Sequence, residues 1–109
     1  MEYIISGTFR MVIRGGSPQQ LYFDDDFLKI MDIEDNSDPE LNYRRWLECV
    51  HPDDVHMIQE AIQTTIHGVK AEVKYRWRHK TKGMFTAYSS GMLASSDNGV
   101  LVIYGFFKG

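Results

Sequence analysis

At 109 residues the chain has the length of one domain, and its 43% hydrophobic and 25% charged residues are those of a globular protein whose core needs no covalent staple. The formal net charge of -3 argues against a nucleic-acid footprint, and a single cysteine, Cys49, excludes an internal disulfide and a multi-cysteine zinc site. The lone thiol fits a reducing compartment, and the longest apolar run, Val100–Phe107, is far too short to span a bilayer, so a cytoplasmic location without membrane contact is expected.

The opening MEYIISGTF has neither a basic stretch nor a long apolar one, so no signal peptide is expected. GTFRMVIRGGSPQQLYF reads as a β-hairpin. Phe9, Met11 and Ile13 alternate with Arg10, Val12 and Arg14, GGSP supplies the turn, and the second strand runs over Gln20–Phe23. A short helix follows in DDDFLKIM, with Asp24 as its N-cap, acids in the first turn, and Phe27, Ile30 and Met31 on one face. DIEDNSDPE is polar and punctuated, which predicts a loop with at most one helical turn. LNYRRWLECV then predicts a second short helix through Leu41, Trp46, Leu47 and Val50.

The longest helix is predicted from Pro52 to about Ile66. Val55, Ile58, Ala61, Ile62, Thr65 and Ile66 recur at spacings of three and four, His56, Gln59, Glu60, Gln63 and Thr64 occupy the other face, and Gly68 ends the helix. Beyond Gly68 the period changes to two. Val73, Tyr75 and Trp77 alternate with Glu72, Lys74, Arg76 and Arg78. HKTKG is a turn, MFTAYSSGMLA the next strand and SSDNG the next turn. The continuously apolar Val100–Phe107 predicts a central last strand. Two strands, then helices, then three hairpin-linked strands make an α+β fold: a five-stranded antiparallel sheet with helices packed on one face.

The cluster HPDD, His51 to Asp54, looks at first like a metal or catalytic site. Helix geometry favours a helix start, with Pro52 in the first position, His51 at the cap, acids against the dipole, and Asp54 reaching back toward the cap. Adjacent helical aspartates diverge by about 100°, so no metal is expected there, nor at the Asp24–Asp26 run. KYRWRHKTK interleaves basic and aromatic residues, but the period of two puts them on opposite faces, which argues against single-stranded nucleic acid.

Several motifs in this order resemble one family. FLKIM after an acidic cap, WLECVHPDDV, EVKYRWRHKTKG and VIYGFF together make the chain similar to a PAS domain of the HPDD-containing PAS/PAC subfamily, from about Ser6 to Phe107. The chain departs from the family pattern in three places. Asp32 stands where a glycine often follows the first short helix, the KTKG turn is one residue longer than usual, and the closing Asp-Ile-Thr is absent.

The resemblance implies a sensory or dimerisation module without its own catalysis, 1–109 being a single domain excised from a larger bacterial signalling protein. It also implies a covalently linked output domain such as a histidine kinase (of a two-component system) or a diguanylate cyclase. A small-molecule ligand would lie between the long helix and the sheet, with Trp46, Ile58, Ile62, Tyr75 and Trp77 as candidate lining residues. The 14 aromatic residues (six Phe, six Tyr, two Trp) favour a filled or very small pocket. Ligand identity is open. Haem is not expected, because His56 falls on the outward face of the long helix. Flavin photochemistry is not expected either, because LECVHP lacks the Asn-Cys-Arg-Phe-Leu-Gln motif around the cysteine of light-sensing relatives. A homodimer through the exposed sheet face and the N-terminal segment is expected. The alternatives are a ligand-free protein-interaction module and, last, a small cone-shaped enzyme with a carboxylate base, for which Glu72 is the only acid within the three C-terminal strands and has the outward parity.

Overall fold

A computed structural model describes residues 6–33 and 37–109. Residues 1–5 of the N-terminal segment, and 34–36 of the stretch for which a loop is predicted, lie outside the described residues. The elements in chain order are β1 (Ser6–Arg14), β2 (Gln20–Phe23), α1 (Asp25–Met31), α2 (Pro39–Glu48), a 3-10 turn (Pro52–Asp54), α3 (Val55–Ile66), β3 (Ala71–His79), β4 (Gly83–Asp97) and β5 (Val100–Lys108). The strands form one antiparallel sheet in the order β2-β1-β5-β4-β3, so the most apolar strand is central, as its composition predicts.

Local chemistry explains most boundaries. Asp24 caps α1 by accepting the Phe27 N–H at 2.8 Å, and its other oxygen accepts from the Thr8 hydroxyl at 2.8 Å, tying the helix start to β1. Helix α2 starts two residues before the predicted Leu41, because Asp38 accepts the Leu41 N–H at 3.0 Å and Pro39 takes the first position, a start signal within the predicted loop. Strand β4 runs on to Asp97. Only Asn98 and Gly99, both in the left-handed region at φ 51° and 77°, make the turn to β5, so the predicted five-residue SSDNG turn is a two-residue one.

The core lies between the helices and the inner face of the sheet. Phe27 of α1 stacks on Phe23 and meets Phe107 of β5, which in turn lies edge-on to Trp77 of β3. At the open edge of β2, the buried Asn42 of α2 donates to the Leu21 carbonyl at 3.1 Å, satisfying a sheet-edge acceptor where water is excluded.

Candidate ligand site

A cavity of about 50 Å³ lies between α3 and the sheet. Helix α3 contributes Ile58, Ala61, Ile62 and Thr65, and α2 contributes Trp46. The sheet floor includes Met11, Ala71, Val73, Ser89, Gly91 and Ile103. The helix spacing produces this arrangement: Ile58, Ile62 and Thr65 share the face that the period of 3.6 turns inward, while His56, Gln59, Glu60, Gln63 and Thr64 are exposed.

Of the five candidate lining residues, Trp46, Ile58 and Ile62 meet at the cavity. Tyr75 and Trp77 face inward, as their parity requires, but they fill the core beside the cavity instead of lining it. The smaller Ala71 and Val73, nearer the start of β3, stand opposite the cavity, and their size leaves the space open. Tyr75 packs edge-on to Trp46 at 5.9 Å, and its hydroxyl pairs with the Ser89 hydroxyl at 2.6 Å. Burial pushes the Tyr75 hydroxyl well above its ordinary pKa, opposed by Ser89 and by the indole of Trp46. The indole N–H of Trp77 donates to the Trp46 carbonyl at 3.2 Å. The indole N–H of Trp46 is fully buried and has no hydrogen-bond acceptor among the described residues.

HPDD has a different task from a capping box. His51 does cap the turn, its Nδ1 accepting the Asp53 N–H at 3.1 Å. Asp54 does not reach back to the cap. Its carboxylate is buried and accepts three hydrogen bonds from Arg76 of β3: from Nε at 2.9 Å, from Nη2 at 2.8 Å and from the backbone N–H at 2.8 Å. The Arg76 side chain, then its backbone N–H, hold the Asp54 carboxyl well below the usual carboxylate range against the opposing effect of burial. Because Asp54 turns to the sheet, the first turn is 3-10 and the α-helix proper begins at Val55. The same edge of β3 is tied down by His51 N–H to Arg76 O at 2.9 Å and Arg78 N–H to Cys49 O at 2.8 Å. The long helix is therefore pinned to β3 at its N-terminal end.

Other conspicuous residues have structural surroundings. Cys49 is a half-buried free thiol whose pKa is raised first by burial and then by Glu48, with Arg78 and Lys80 opposing. Glu72 is exposed and pairs with Lys70 at 3.3 Å, and a hydrogen bond with Tyr88 is the largest of the effects that lower its pKa. Among the described residues no three His, Cys, Asp or Glu side chains gather to hold a metal ion. Among the same residues no helix is long and apolar enough to cross a membrane.

The outer face of the sheet is less polar than strand alternation alone implies. Val12 shares the parity of Arg10 and Arg14 yet is buried, and Met92 and Tyr104 are exposed at 55% each. Arg10 lies over the Tyr22 ring at 4.4 Å and Lys108 over Phe106 at 4.9 Å, so two of the cations on this face cover aromatic surface.

A five-stranded antiparallel sheet with helices closing a small cavity over one face is the architecture of an α+β binding or regulatory module. The PAS fold family matches the chain over residues 20–107, and the chain belongs to it. PAS domains are regulatory sensor modules, generally without catalysis of their own. No curated protein matches the chain in sequence. Among solved structures, the chain is similar to an RNA-binding Light-Oxygen-Voltage receptor (17% identity, TM-score 0.67, 94% of this chain and 29% of that one). It thus spans less than a third of that receptor. It is also similar to a domain named after a light and redox sensing histidine kinase of Haloarcula marismortui (17%, TM-score 0.70, 94% and 87%). A third similar structure is the N-terminal domain of a diguanylate cyclase with PAS/PAC sensor from Marinobacter aquaeolei (17%, TM-score 0.64, 92% of both chains).

Proposed function

We propose that this PAS domain is the single sensory module of a larger cytoplasmic signalling protein, that its ligand occupies the cavity under α3, and that it regulates a covalently linked output domain such as a histidine kinase or a diguanylate cyclase. The observation that supports this reading is the cavity itself. It has apolar walls and a few hydroxyls, under a helix whose N-terminal end is held to β3 by the Asp54–Arg76 lock. A ligand there pushes on Ile62 and Thr65, beyond the pinned N-terminal turn, and shifts the packing of α3 on β3 and β4. Native mass spectrometry of the purified protein, with a denatured control, tests the reading. A small molecule released on denaturation supports it, and cavity-lining NMR signals that respond to no small-molecule probe oppose it.

The second reading is a ligand-free interaction module, and a separate observation favours it. Met92 and Tyr104 are exposed on the outer sheet face beside Val12, Val100 and Val102, an apolar strip suited to a second copy of the chain. Sedimentation velocity decides whether the chain pairs there. A monomer at all accessible concentrations contradicts this reading.

A further inference from the structure

We propose that the cavity takes an apolar molecule of about two or three heavy atoms, a light hydrocarbon or a dissolved gas of that size, held by dispersion and by its exclusion from water alone. The proposal rests on the ligand reading of the cavity given above and names the chemistry of its occupant.

Three observations carry it. The first is the wall. Among the described residues, none that lines the cavity is ionisable, and the polar side chains there already have partners within the fold. The Thr65 hydroxyl donates to the Ala61 carbonyl at 2.8 Å, and Ser89 and Tyr75 share a hydrogen bond at 2.6 Å. The Trp46 indole nitrogen is closed to water and lies against the Tyr75 hydroxyl, whose upward shift it opposes, so Trp46 turns ring carbons to the void. Ser90 has the opposite parity from Ser89 and Gly91, which directs its side chain to the outer face of the sheet. A water or an alcohol entering the cavity gives up hydrogen bonds to bulk water without replacing them, and an ion meets no counter-charge. An apolar molecule gives up none and gains contacts with Ile58, Ile62, Val73 and Ile103.

The second is size. A cavity of about 150 Å³ holds benzene, so one of about 50 Å³ holds about a third as many heavy atoms. The third is access. Ala61, Ile62, Ala71 and Val73 line the cavity and are half-buried, so apolar surface runs from the void toward solvent between α3 and the start of β3.

Methyl ¹H–¹³C NMR of the intact chain tests this with diatomic or two-heavy-atom probes at equal free concentration: ethane, dioxygen, methanol and methylammonium. Ethane is expected to move the methyl signals of Ile58, Ile62, Val73 and Ile103 and to leave those of the exposed Val69 in place. Methanol and methylammonium are expected to bind at least about tenfold more weakly. Dioxygen is paramagnetic and should broaden the signals of the same four residues beyond those of Val69. Whichever of ethane and dioxygen acts at the lower concentration names the source of the ligand. Methanol or methylammonium moving these signals as strongly as ethane overturns the apolar class and leaves the cavity a ligand site. Benzene is the size control, and benzene binding as tightly as ethane, or more tightly, overturns the size limit. Silence from every probe removes the ligand reading together with this one. Val73→Thr keeps the shape of the wall and puts a hydroxyl into it, so ethane binding should weaken about three- to tenfold and methanol binding strengthen. Unchanged ethane binding in that variant overturns the contact with Val73, and if the variant does not fold, the wild-type comparison of ethane with methanol decides.

Discussion

Gly91→Ala should make the domain more stable and, on the proposed ligand reading of the cavity, close the site at once. Gly91 faces the cavity from β4, and its φ lies outside the left-handed region, so alanine adopts the same backbone without strain. A Cβ at Gly91 would meet Ile103 Cγ2 at 3.2 Å, with Tyr104 O at 3.9 Å and Thr65 Oγ1 at 4.0 Å as the next contacts. The one tight neighbour is the branch methyl of a side chain beside open space, which can give by a few tenths of an ångström. At about 24 cal/mol per Å³, filling the whole 50 Å³ is worth about 1.2 kcal/mol. A methyl that fills roughly half contributes about 0.6 kcal/mol. Removing glycine's freedom from the unfolded chain adds about 0.4–1 kcal/mol. After some loss to the Ile103 contact, a net gain of about 1 kcal/mol raises Tm by roughly 4–8 °C for a domain of this size. Thermal unfolding followed by circular dichroism measures the gain, and native mass spectrometry measures the loss of any small molecule that the wild type retains. A variant that melts below the wild type shows that Ile103 cannot move, and one that retains the same small molecule as the wild type shows that the molecule does not sit at Gly91. Either result refutes the reasoning.

Asp54→Asn removes a carboxylate whose folded pKa is depressed by Arg76, so the stability difference from wild type is full above the unfolded carboxylate value, about 4, and shrinks as pH falls below it; urea midpoints at pH 7 and pH 3 that differ equally between the two proteins would contradict this. Asp32 closes α1 in the left-handed region at φ 57°, so Asp32→Gly should stabilise the domain by about 0.5–1 kcal/mol in urea unfolding, and a loss of stability would mean that its exposed pairing with Lys80 at 3.5 Å matters more than the backbone. Tyr104→Glu places a charge on the apolar strip of the outer face and should shift any self-association to higher concentration in sedimentation velocity, while a dimer of unchanged affinity moves the interface elsewhere.

Periodicity made the architecture legible. The switch from 3.6 to 2 at Gly68 separates α3 from β3, and the unbroken apolar run of β5 marks it as the strand with a neighbour on both sides. Boundaries were harder to read wherever two signals compete within a few residues. Asp38–Pro39 is a helix start inside a stretch rich in loop residues, and Ser95 to Asp97 are residues common in turns that nevertheless pair with β5, because Asn98–Gly99 alone can reverse the chain. Asp32 was readable in outline. The chain departs there from a position where the family often has glycine, and the left-handed backbone of Asp32 supplies the reason.

Parity says which face a strand residue takes, but not where along the strand a void will lie. Val73, Tyr75 and Trp77 share the inner face of β3, and the cavity opens over Val73 because the two large rings find partners first: Tyr75 in Ser89 and Trp46, Trp77 in Phe107 and the Trp46 carbonyl. Packing between segments distant in sequence decides this, as it decides that Asp54 turns from its own helix cap to Arg76, 22 residues away. A carboxylate at a helix start has an adequate local use, and only the approach of β3 offers a guanidinium fork and a backbone N–H together, which a single capping bond cannot match.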